Sequence, residues 1–199
     1  MDARKPLLYA VVIFAVVVQY PFDAYADSVT YSSNFNLRIP AKPGDTKGWM
    51  DDAVIEIPHH FIIHDIDVGV TLTHTNVFDL QIFLKSPAKT TICLNMYDFD
   101  PSLKGEDYTN TIFDDEASLA IEQAQPPFTG RFRPIDKLSA FDGEDSFGPW
   151  RLRIYDAFYA DTGTFNRFEL VITNPEPATA VFLVVGAGLM IRLNNSKKQ

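Results

Sequence analysis

Cysteine is almost missing from this chain: Cys93 is the only one in 199 residues, so no intrachain disulfide can form. In the context TTICLNM its thiol reads as a small buried hydrophobe, and no base stands at a spacing that would activate it. Histidine is scarce as well, with four copies, and these offer no base oriented by an acid beside a nucleophilic hydroxyl, so serine-type hydrolysis has no visible machinery. Cations are outnumbered, 17 Lys and Arg against 26 Asp and Glu for a net charge of −9, which argues against nonspecific attraction to nucleic acid. Long apolar runs are confined to the two ends, and helical periodicity is nearly absent between them.

What is abundant is aromatic and β-branched. Sixteen Phe and eight Tyr with many Val, Ile and Thr favour strands. Ile66, Val68, Val70 and Leu72 alternate with polar neighbours, as do Leu80, Ile82 and Leu84, then Trp150, Leu152 and Ile154, then Phe168, Leu170 and Ile172. That period of two describes strands with one wet face. Ala53–Ile57, Thr90–Leu94 and a short stretch at Phe35–Ile39 add further strands, while residues 41–52 and the acidic stretch 98–107 read as turn and loop. The run Ile62–Thr75, the run Leu80–Leu84 and Thr90–Leu94 together suggest an antiparallel meander. Ala117–Ala124 is the one helix candidate. The expected architecture is all-β, an antiparallel sandwich or jelly roll of about eight strands.

The ends carry addresses. Arg4 and Lys5, the apolar run Leu7–Val18 and the A-x-A at Ala24-Tyr25-Ala26 have the layout of a secretory signal peptide over 1–26, cleaved before Asp27. Residues 27–52 then form a polar N-terminal segment. Past Pro175-Glu176-Pro177 the sequence turns apolar from Ala178 to Ile191 and ends in Arg192, Lys197 and Lys198. A helix over 178–191 is about 21 Å long, short against a hydrocarbon core of about 30 Å, with its basic end held on the cytoplasmic side.

Two constellations could bind metal. His60 and His64 would lie about 13 Å apart on a strand, too far for one ion, and read as surface residues. Asp114, Asp115 and Glu116 are different: their mutual repulsion would be relieved by a hard cation taking carboxylate oxygens. One structural Ca²⁺ at Asp114 or Asp115 is expected, with Asp79, Asp142, Asp156 and Asp161 as partners from neighbouring loops; the alternative is a set of solvated acids capping turns.

From about Asn34 to Asn174 the chain resembles the P domain, or P/Homo B domain, of proprotein convertases and bacterial subtilisin-like proteases. The motifs that carry this are Leu72-Thr73-His74-Thr75, Asp79-Leu80, Leu84-x-Ser86-Pro87-x-x-Thr90, Phe113-Asp114-Asp115-Glu116-Ala117, and Pro127-Phe128-Thr129-Gly130 with Phe132-Arg133-Pro134. They continue through Leu138–Phe141 with Gly143-Glu144, Gly148-x-Trp150-x-Leu152-x-Ile154-x-Asp156, and Asp161-Thr162-Gly163-Thr164. Phe78 and Lys89 stand where the family has turn glycines, and Phe168 where it has Trp. The resemblance implies a β-sandwich over 34–174, calcium in some members, and a non-catalytic role beside a catalytic domain of which this sequence carries none, lacking the Ser-centred G-T-S motif. The tail, 175–199, resembles the PEP-CTERM sorting signal of Gram-negative bacteria, which implies processing by an exosortase-type enzyme, at least transient membrane anchoring, and delivery to the cell surface or an exopolysaccharide matrix. The function these readings imply is an exported, non-catalytic module that binds or packs at that surface; the alternative is an accessory domain for a separate subtilisin-like serine protease.

Overall fold

The computed structural model describes residues 27–174 apart from 46, 99 and 101. The expected signal peptide (Ala24 and Ala26) and the expected sorting signal (Pro175, Glu176, Pro177, Arg192, Lys197, Lys198) lie outside the described residues, which begin at Asp27. Ten strands follow in order: β1 Asp27–Ile39, β2 Gly48–Trp49, β3 Ala53–Ile57, β4 Asp65–His74, β5 Leu80–Lys85, β6 Thr91–Asn95, β7 Tyr108–Phe113, β8 Phe128–Phe132, β9 Gly148–Asp156 and β10 Gly163–Asn174. They build two sheets of a sandwich, the first in the order β1-β10-β4-β7-β8 and the second in the order β2-β9-β5-β6, with β3 also paired to β9.

The expected all-β sandwich is what forms, and the alternating runs are the reason. Along β9 every second residue is buried, so Trp150, Leu152 and Ile154 enter the core while Arg151, Arg153 and Tyr155 face outward. Trp150 is fully buried, packs edge-on against Phe141 at 5.1 Å, and donates its indole N–H to the Ser146 carbonyl at 2.9 Å, which satisfies the one polar group its burial would strand. Phe168, Leu170 and Ile172 supply the facing layer from β10 and are likewise fully buried.

Three expectations are corrected. The meander breaks between its first two strands: β4 belongs to the first sheet and β5 to the second. A 3₁₀ turn at Val77–Asp79 carries the chain across the sandwich. Residues 117–124 make no α-helix. Ala120 bridges to Arg133, and only Ile121–Gln123 is helical, as one 3₁₀ turn, because Ala117, Ile121 and Ala124 are drawn separately into the core. Residues 41–52 contain the short β2, whose Trp49 pairs with Tyr155. The strand β7, set by no strong alternation, pairs in parallel with β8.

The two missing turn glycines resolve differently. Lys89 sits at φ 78° in the β5–β6 turn, where its N–H donates to the Ser86 carbonyl at 3.0 Å; this is the left-handed conformation that glycine tolerates best. Phe78 lies in the 3₁₀ turn Val77–Asp79 and packs edge-on against Phe128 at 6.4 Å, so no strained backbone arises there.

Candidate functional site

Strand β4 divides the acids into two groups. Asp67 near its start and His74 at its end are seven residues apart, about 23 Å along an extended chain. The acids expected to share one ion therefore fall at opposite ends of the sandwich. Asp114, Asp115, Glu116 and Asp142 gather toward the start of β4, while Asp79, Asp156 and Asp161 gather toward its end.

At the start of β4 the acidic turn is already furnished with donors. Arg131 of β8 places Nη1 2.6 Å from Asp114 Oδ2 and 2.8 Å from Asp67 Oδ2. Asp114 Oδ1 accepts the Glu116 amide at 2.7 Å, and Asp115 accepts the amides of Leu138 and Ser139 at 2.9 and 3.0 Å, capping the 3₁₀ turn Leu138–Phe141. Arg133, two residues on, donates to the carbonyls of Ala117 and Ser118 at 2.6 and 2.7 Å. Arg131 of β8 and Arg133 just past its end thus hold the whole 114–118 segment.

The carboxyls respond according to their partners. Burial pushes Asp114 up, but the Arg131 guanidinium and the Glu116 amide outweigh it and hold the group below its ordinary range. Asp67 shares the guanidinium without the amide, and there burial prevails and raises it. Glu116 is raised chiefly by its contact with Asp114. Asp142 is exposed and is raised by partial burial and by Asp65.

At the end of β4 the acids pack around a buried histidine. The His74 side chain is fully buried, with Nε2 3.3 Å from Asp156 Oδ2 and Nδ1 2.9 Å from the Asn76 carbonyl oxygen. It ties a turn together through Asn76. Asn76 donates to Asp79 Oδ1 at 2.8 Å, and Thr75 donates to Asp161 Oδ1 at 2.7 Å. Asp79 is pushed up to about 6 by burial first, then by the neighbouring charges of Asp161 and Asp156. Gly163 makes this packing possible: a Cβ there would stand 2.1 Å from the Thr73 carbonyl and 2.6 Å from the His74 ring. Among the described residues no group of three His, Cys, Asp or Glu is placed to hold a metal ion. Asp114 and Asp115 do not fit calcium as they stand, since a guanidinium and three amides already contact all four of their carboxylate oxygens.

The remaining polar chemistry is structural. Cys93 is buried and its thiol is pushed up to about 11 by burial and by Asp136, the inert small hydrophobe its context indicated. His60 contacts Asp145 at 2.7 Å and stacks on Phe147 at the surface. Ser146 is buried and donates to the His59 carbonyl.

The outer face of the second sheet is aromatic and basic. Trp49, 43 % exposed, lies against Tyr155 with ring centroids 5.0 Å apart and against Phe83 at 6.0 Å. Arg153 places its guanidinium carbon 4.4 Å from the centre of the Trp49 ring, and Asp52 bridges Arg153 and Arg151 at 2.9 and 3.6 Å. Beside them Lys47 stands over the exposed ring of Tyr159. Tyr108, by contrast, is no surface aromatic. It is fully buried and accepts a hydrogen bond from Asn95 at 2.8 Å.

The sequence model of the proprotein convertase P-domain matches residues 63–172, from just before β4 to the last turn of pairing in β10. This chain belongs to the proprotein convertase P-domain family. P domains are the non-catalytic accessory units of those enzymes, and the arginine-held segment 114–118, the His74 turn and β9 all fall inside the matched P-domain span. No curated protein matches the chain. Among solved structures it is similar to the serine protease of Aeromonas sobria in complex with the chaperone, at 19 % identity and a TM-score of 0.43, covering 75 % of this chain and 27 % of that one. The same protease alone gives 19 % identity, a TM-score of 0.44, and coverage of 74 % and 27 %. This chain therefore spans about a quarter of the length of either of those chains.

Proposed function

We propose that this P domain is exported and works by contact, holding to an exopolysaccharide matrix through the outer face of its second sheet. The observation that carries the reading is the cluster of Trp49, Tyr155 and Phe83 with Arg153 and Arg151, set on the edge strand β2 and on the central strands β9 and β5, whose other face is fully packed. Aromatic rings offer flat apolar surface to sugar rings while guanidiniums pair with carboxylates or hydroxyls. The signal-like N-terminus and the PEP-CTERM-like tail support delivery outside the cytoplasm, with an exosortase-type enzyme as processing partner and the membrane as a transient one. Affinity electrophoresis through gels containing an acidic polysaccharide tests the contact, and retardation is the expected result. Mass spectrometry of both termini from the native host tests the address.

Family membership favours a second reading, in which the module stabilises a serine protease encoded separately, as P domains do within one chain. Under that reading a subtilisin-like protease co-purifies with the module and survives heating longer in its presence, while polysaccharide leaves the module's mobility unchanged.

A further inference from the structure

Arg131 occupies the one position in Pro127-Phe128-Thr129-Gly130-x-Phe132-Arg133-Pro134 that the family motif leaves open, and it points at the acidic turn that another segment contributes. Its Nη1 lies between two carboxylates, Asp67 Oδ2 at 2.8 Å and Asp114 Oδ2 at 2.6 Å. These belong to β4 and to the turn after β7, so the guanidinium joins three strands, β4, β7 and β8, at the same end. Both carboxylates are largely withdrawn from solvent, with side chains 13 % and 10 % exposed. Two more acids adjoin the pair: Asp65 acts on Asp67, and Glu116 shares a side-chain hydrogen bond with Asp114. Four acids thus share one end of the sheet, and the positive group bridging the two buried ones is an arginine of the chain itself.

We propose that Arg131 supplies, as a covalently tethered cation, the charge that a bound divalent ion would otherwise have to bring to this turn. The domain is then independent of calcium at Asp114, and a divalent site is latent there, blocked by the guanidinium. A guanidinium is suited to the role because it is permanently charged and can address two carboxylates at once. Asp67, Asp114, Glu116 and Asp65 would be left without a counter-charge if it were removed, and hard cations take such oxygens.

The test compares thermal unfolding of the full chain, wild type and Arg131→Met, in EDTA and in excess calcium. Any calcium response from elsewhere in the molecule appears in both proteins and cancels. The midpoint of Arg131→Met is expected to rise with calcium by about 3–5 °C more than that of the wild type, and Arg131→Lys is expected to behave as the wild type. An equal or smaller rise in Arg131→Met overturns the proposal. If the variant is unfolded in EDTA, recovery of the native near-ultraviolet circular dichroism on adding calcium supports it, and failure to recover overturns it.

Discussion

Trp49 and Tyr155 face each other across paired strands, their ring centroids 5.0 Å apart and their planes at 50°, with Arg153 over the indole. The backbone partnership is direct, Trp49 opposite Tyr155, so the platform is held by the sheet itself. Because Trp49 is half exposed and β2 is short, Trp49→Ala is expected to change stability by no more than about 1 kcal/mol. It should nevertheless abolish retardation by polysaccharide. Circular dichroism melting beside affinity electrophoresis separates the two effects.

Asp79 predicts a pH dependence with a definite sign. Its folded value of about 6 lies above the ordinary 3.8, so the folded state holds its proton more tightly than the unfolded one. The stability this confers is fully present below about pH 4 and is lost as pH rises through 6. Above that, the carboxylate is charged beside Asp161 and Asp156. Asp79→Asn keeps an acceptor for Asn76 and removes the charge, so at pH 8 it should be more stable than the wild type by about 1–3 kcal/mol. The difference should vanish near pH 4, as checked by urea unfolding at both values.

Lys89 is strained by its φ of 78°. Lys89→Gly should stabilise the β5–β6 hairpin by about 0.5–1 kcal/mol, whereas Phe78→Gly should destabilise, because it deletes a ring packed on Phe128 and relieves no strain. Parallel denaturant titrations check the opposite signs.

Gly163 is required by close approach. With a Cβ 2.1 Å from the Thr73 carbonyl, Gly163→Ala forces β10 away from β4 and should cost about 2–3 kcal/mol. The signal of the buried His74 ring in an NMR spectrum should move with it, since that ring is the next atom group in the path.

Much of this architecture was legible because β5, β9 and β10 alternate with little interruption, so each strand fixes which side chains are inside. The assignment of strands to sheets was not. Nothing local in Thr75–Asp79 says that the chain crosses the sandwich there instead of turning back into the same sheet. The stretch 117–124 misled because its apolar residues match a helical face, while tertiary packing draws them individually inward. For the site, the acidic turn was visible and its counter-charge was not. Arg131 and Asp114 are 17 residues apart in sequence, and only the parallel pairing of β7 with β8 brings them together. His74 stood inside a motif, but nothing local marked its partner Asp156, which is 82 residues away.

The most direct test of a non-catalytic module that acts through its outer sheet face uses its own two tryptophans. Trp150 is fully buried and Trp49 is exposed, so a ligand on that face changes the emission of Trp49 alone. Titrating the full chain with polygalacturonate should produce a saturable fluorescence change that is absent in Trp49→Ala and weakened in Arg153→Ala. No change in the wild type, or the same change in Trp49→Ala, would contradict the account.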